Sequence, residues 1–280
     1  MQEITNRVFM ETQYPGVTLG AISRKHGLVL IDAPFRPDDG KSWRSSLLNL
    51  SGGIARLMIN LDGHMDRTMG AKSLDCTVLC HNDTAEAFQN RPASIKAQVS
   101  DAGAMWEAYN GLGSIRWASS QITFSDEVQV HWDNNPIVLT SKPGIAEGSI
   151  WVAIPDDKIL FLGDSVVMKQ PPFLGHSNLP LWIEHLNTLL TDTYQDYFLI
   201  GGRNGFLTQE NVLQQQKFLI TANEEIQNLA GQKVTNHVIE QLASKLLNLI
   251  SNMDPNYYEN YRRRLVWGIN AYYQTHILEN

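Results

Sequence analysis

Leu61-Asp62-Gly63-His64-Met65-Asp66-Arg67 follows the apolar run Leu57-Met58-Ile59 and precedes Gly70-Ala71. This order predicts a strand that runs into a polar loop and then a helix. Loops dense in His and Asp at the C-terminal end of a strand often carry hydrolytic metal sites. Here the His and Asp stand beside Arg67, which has no lone pair to offer a metal. Four further segments matter to the same reading. They are Val29-Leu30-Ile31-Asp32, the stretch Pro143-Gly144-Ile145-Ala146-Glu147-Gly148-Ser149-Ile150, Ile159-Leu160-Phe161-Leu162-Gly163-Asp164, and Ile200-Gly201-Gly202-Arg203-Asn204.

Taken in order, the five segments resemble the motifs of the metallo-β-lactamase superfamily, over roughly Arg7 to Asn204. The resemblance implies an α/β fold, the four-layer αββα sandwich, with the site at one edge between the two sheets. It also implies zinc- or iron-dependent hydrolysis. Asp32 falls at the Asp that braces the metal loop, and Asp62 to Gly70 is similar to that loop. Pro143 to Ile150 resembles the stretch supplying the third His, with Ile145 in its place. Asp164 matches the carboxylate that bridges two metals, and Arg203 stands where the last His is found. Of seven ligand positions, His64, Asp66 and Asp164 are kept, whereas Asp62, Arg67, Ile145 and Arg203 are changed.

These changes set the chemistry expected of the chain. Guanidiniums at the second metal position can pair with the carboxylates that metals would neutralise. An unpaired buried carboxylate costs several kcal/mol, so a metal-free, salt-bridged site is the leading expectation. On this reading the protein is a pseudoenzyme or binds a small, anionic ligand, and no cofactor is favoured. The alternative is a hydrolase of an ester, lactone, amide or thioester. It would use one residual Zn, Mn or Mg held by Asp62, His64, Asp66 and Asp164. Without metal it would use His64 as general base, with Asp66 and Asp164 beside it and Arg67 or Arg203 on the oxyanion. His176, in the loop after Asp164, joins Asp62, Arg67 and Arg203 as a candidate binding residue. Gly175-His176-Ser177-Asn178-Leu179 lacks the last Gly of a nucleophile elbow, so serine catalysis is discounted.

Composition supports one well-packed unit: 280 residues, 43% hydrophobic and 18% charged. A formal charge of -7 disfavours nucleic acid and anionic membrane surfaces as partners. No segment approaches the roughly 20 apolar residues of a membrane span. The N-terminal residues lack the basic-then-apolar order of a signal peptide, and Cys76 and Cys80 read as reduced core thiols, so a cytoplasmic location is expected. The alternative for the two cysteines, a metal clip completed by His81, lacks usual zinc spacing.

Residues 1–205 are expected to form the sandwich and 206–280 a helical extension packed on it, since the pattern is helix only from Phe206. Thr208 and Thr235 are placed to cap two of these helices, and Asp254-Pro255 to open a third. The aromatic-rich last helix is expected to pack on the sandwich, with a homodimer contact or a pocket lid left open. Arg262-Arg263-Arg264 reads as a solvated face.

Overall fold

The computed structural model describes residues 1–50, 53–92, 95 and 102–278.

Thirteen strands form two sheets among the described residues. The first holds β1 (Gln2–Thr5), β2 (Val8–Glu11), β3 (Leu19–Arg24), β4 (Gly27–Ile31), β5 (Ala55–Ile59), β6 (Thr77–His81) and β7 (Ile122–Phe124), in that spatial order. The second holds β8 (Glu127–Val130), β9 (Ile137–Ser141), β10 (Ile150–Ile154), β11 (Ile159–Phe161), β12 (Phe198–Gly201) and β13 (Gly205–Leu207). Strands β4 to β7 are parallel, as are β11 and β12, and the remaining pairs are antiparallel. The helices are α1 (Pro37–Ser46), α2 (Met65–Thr68), α3 (Asn82–Gln89), α4 (Leu179–Leu189), α5 (Gln209–Gln227), α6 (Asn236–Leu247) and α7 (Tyr258–Tyr273).

The two-residue period of each strand sorts its side chains between layers. Val29 and Ile31 point to a core shared with Ile150, Val152 and Phe161 of the other sheet. Leu28 and Leu30 face the opposite way, onto Trp43 and Leu47 near α1 and Phe88 of α3. In the second sheet Trp151, Leu160 and Leu199 face a cluster built with α4, α5, α6 and α7. Sheets back to back with helices outside them give the αββα sandwich.

Two expectations need correction. The boundary at 205/206 falls inside β13, and α5 to α7 share one apolar cluster with the second sheet, so the helices complete its outer layer. A three-residue strand is too short to show a period, which hid β13. The short β1 was hidden likewise. Arg264 is not part of a solvated face, being 1% exposed, while Arg263 beside it is exposed. The caps at Thr208 and Thr235 are observed, with Asn211 N and Val238 N as donors. Cys76 and Cys80 carry free thiols. Among the described residues, no helix is long and apolar enough to cross a membrane.

Candidate functional site

Each candidate side chain sits where a strand ends. Asp32 follows β4 with a left-handed backbone, φ +60°, which Asp adopts at modest cost. Its N–H donates to Ile59 O at 2.9 Å, tying β4 to β5 just before the loop. Beyond β5, His64 caps α2, so Asp66 and Arg67 leave from its first turn. Asp164 lies in the turn after β11. There Trp151 Nε1 donates to Ser165 Oγ at 2.7 Å and Trp182 Nε1 to Ser165 O at 2.9 Å. Arg203 follows β12, beside a turn held by Gly202 N donating to Gly163 O at 2.6 Å.

These loops meet at one edge of the sandwich. Arg67, fully buried, donates from Nη1 to Asp32 Oδ2 at 3.0 Å and from Nη2 to Asp164 Oδ1. Its Nε lies 3.1 Å from Asp62 Oδ1, an ion-pair contact without hydrogen-bond alignment. Arg203 reaches Asp164 Oδ2 from Nε at 2.9 Å and from Nη2 at 2.8 Å. Its Nη1 donates to Asp66 Oδ2 at 2.8 Å and to Gly16 O at 3.1 Å. Asp66 Oδ1 accepts from Trp106 N at 2.8 Å, and Asp62 Oδ1 from His64 N at 2.7 Å. Asp32 Oδ1 accepts from Leu61 N at 3.0 Å, which braces the loop. Gly202 is required here, since a Cβ would lie 2.8 Å from Arg67 Nη1.

Burial and charge pull these groups in opposite directions. Burial would raise Asp164, but Arg203 and then Arg67 outweigh it and hold the carboxyl well below its usual range. Asp66 behaves likewise, with Arg203 and His64 overcoming its burial. Asp32 is pushed up to about 7 by burial against the pull of Arg67. His64 is pushed down to about 4, by burial first and then by Arg203. A quarter of its side chain stays exposed, which softens the effect.

The neutral ring of His64 has a defined polarity. Nδ1 faces Asp66 N–H and Arg203 Nη2, each at 3.3 Å. Those donors assign the ring proton to Nε2.

The donor set does not fit the two ions that the fold implies. Each Asp164 oxygen is taken by a guanidinium, and so is one oxygen of Asp66. Ile145 belongs to the apolar cluster beneath the second sheet. Among the described residues, no group of three or more His, Cys, Asp or Glu side chains is arranged to hold a metal.

The structure therefore brings Asp62, His64, Asp66, Arg67, Asp164 and Arg203 together. His176 stands apart from this network. It is exposed, edge-on to Trp267 at 5.4 Å, and lines a separate cleft of about 420 Å³ with Glu147, Asn178 and His276.

Sequence reasoning missed three contributors. Arg91 donates to Gly63 O at 2.6 Å and Thr68 Oγ1 at 2.7 Å behind the loop. Phe173 lies 4.5 Å from the His64 ring. Arg264 of α7 stacks on Phe173 at 4.0 Å. Only Arg264 carried a signal, being three residues from Tyr261 and four from Gly268 on the buried face of α7.

No family model and no curated protein sequence matches this chain. Solved structures do. A metallo-beta-lactamase family protein from Thermus thermophilus superposes with a TM-score of 0.69 at 14% identity, over 96% of this chain and 93% of that one. The metallo-beta-lactamase from Pontibacter korlensis gives 0.61 at 17% identity, over 78% and 97%. A stereoselective inverting sec-alkylsulfatase from Pseudomonas sp. gives 0.67 at 14%, over 98% of this chain, which spans half of that protein. The chain thus has the metallo-β-lactamase fold, with the low identity of a divergent sequence.

Proposed function

We propose that this protein is a non-hydrolytic, metal-independent version of the fold, in which Arg67 and Arg203 supply the charge that bound ions supply elsewhere. One observation carries the reading: Asp164, at the metal-bridging position, has one oxygen on Arg67 and the other on Arg203. Metal and guanidinium would compete for the same lone pairs, and the guanidiniums are covalently tethered and buried.

Hydrolysis by His64 alone is disfavoured by the ring's own contacts. Its acceptor nitrogen already faces two donors, and the other nitrogen carries the proton. A general base needs a bare nitrogen within reach of the substrate's proton. Binding of a small anion by Arg67 or Arg203 would require a carboxylate to leave first, so a pairing role is preferred for both.

The test is metal analysis of protein purified without chelator, joined to melting curves with and without EDTA or zinc. Ester, lactone, amide and thioester substrates are assayed in parallel. The expected result is no stoichiometric metal, an unchanged melting temperature and no turnover. Stoichiometric zinc, manganese or iron, a chelator-induced drop in stability, or turnover abolished by His64→Ala would each overturn the proposal. A thermal shift by phosphate that vanishes in Arg203→Ala would restore the anion-binding reading.

A further inference from the structure

Residues 170–176, Gln170-Pro171-Pro172-Phe173-Leu174-Gly175-His176, run from the loop after Asp164 toward α4 and lie along α7. Arg264 of α7 donates from Nη1 to Gln170 Oε1 at 2.9 Å and Pro171 O at 2.8 Å, and from Nη2 to Gly103 O at 2.9 Å. Its guanidinium also lies over the Phe173 ring at 4.0 Å and the Tyr261 ring at 5.4 Å. One turn along, Gly268 leaves room for Leu174, since a Cβ there would lie 3.2 Å from Leu174 Cβ. Gly175 packs against Trp267, whose ring a Cβ would strike at 2.3 Å. Helix α7 therefore holds this segment at successive positions.

The other side of the segment meets the site. Phe173 lies 4.9 Å from the Arg203 guanidinium and 4.5 Å from the His64 ring, tilted 51° to it. One aromatic ring thus lies beside two guanidiniums and the imidazole. Both cations favour a π face, and both lose that hold if the ring leaves. Pro171 and Pro172 fix two φ angles, which stiffens the N-terminal half of the segment. Lys169, at its N-terminal end, has a left-handed φ of +60°.

We propose that residues 170–176 form a strap that caps His64, with Phe173 as the cap and Arg264 as the positioning residue that pins it to the C-terminal helix. A quarter of the His64 side chain is open with the strap in place, and how much more of the ring can be reached depends on lifting the strap from α7. The inference does not depend on metal content or on turnover.

The test is the rate at which hydroxyl radicals oxidise the His64 ring, followed by peptide mass spectrometry on the full chain. His131, exposed at the end of β8, supplies the reference rate, and buried Cys80 reports unfolding through its thiol reactivity. In Phe173→Ala and Arg264→Lys, the His64 rate relative to His131 is expected to rise about fivefold, with Cys80 still protected. If Phe173→Ala exposes Cys80, Phe173→Leu keeps the apolar volume and tests the same loss of ring contacts. An unchanged His64 rate in a folded Phe173 variant overturns the cap. A rise there without one in Arg264→Lys overturns the role of Arg264.

Discussion

Replacing Arg67 by Met tests the central electrostatic argument most directly. Met keeps much of the volume, so the change is chiefly the loss of one buried guanidinium. Asp164 keeps Arg203, but Asp32 and Asp62 lose the one guanidinium that touches them among the described residues. Breaking a buried pair by removing one partner costs about 3–5 kcal/mol. Against a total stability of about 5–15 kcal/mol, that is a large fraction. It corresponds to a fall of roughly 10 °C in melting temperature for a chain of this size.

The pH dependence has a definite sign. Asp32 is already pushed up to about 7 with Arg67 present, and without it the pKa moves higher. Between that higher value and about 7 the variant's folded state takes up a proton that the parent's does not. Lowering the pH from 8.5 to 6.5 should therefore narrow the stability gap. Urea unfolding of parent, Arg67→Met and Arg67→Met/Asp32→Asn at both pH values measures this. The double variant, having no buried charge at Asp32, should recover at least about 1 kcal/mol at pH 8.5. A loss below about 1 kcal/mol in the single variant, or a gap that widens on acidification, would refute the reasoning.

Further outcomes follow from the same geometry. His64 sits at about 4 when folded against an ordinary 6.5, so the unfolded chain takes the proton first as pH falls. The associated stability, on the order of 2 kcal/mol with the open quarter of the side chain discounted, is full above pH 6.5 and lost toward pH 4. His64→Gln should flatten urea midpoints across that window, and an unaltered slope would count against it. Gly16 has φ +77°, and an added Cβ would lie 3.0 Å from Met105 Cβ and 3.3 Å from Asp66 Cγ. Gly16→Ala should cost about 1–3 kcal/mol by calorimetry, and a neutral result would place slack around Asp66. Restoring imidazoles at all four changed positions, with Asp62→His, Arg67→His, Ile145→His and Arg203→His together, should give a protein that retains zinc through gel filtration. Arg203→His alone should not, and zinc retained by that single variant would argue that the other changes are incidental.

Much of the architecture was legible in the residues because strand order and layer assignment follow local patterns. Val29-Leu30-Ile31 reads as a strand ending at Asp32, and β4 is that strand, with a core on each of its faces. The candidate cluster was legible for a different reason: five segments, in order, resemble the motifs that supply a family's metal site, and an arginine there cannot ligate a metal. Asp62, His64, Asp66, Arg67, Asp164 and Arg203 do converge.

What the amino-acid order determined by itself was chemical identity: which positions hold lone pairs, which hold fixed cations, and where chain punctuation allows a loop. Only the tertiary structure decided how those charges are shared. Asp32 proved to be a direct partner of Arg67 as well as a brace, which adds a buried carboxylate to those of Asp62, Asp66 and Asp164. His64 stays neutral because of what encloses it. Arg264 entered from a helix about 200 positions beyond His64, out of a run of three arginines that look alike in sequence. Pairing energies depend on distance and burial, and neither is a property of the chain until it folds.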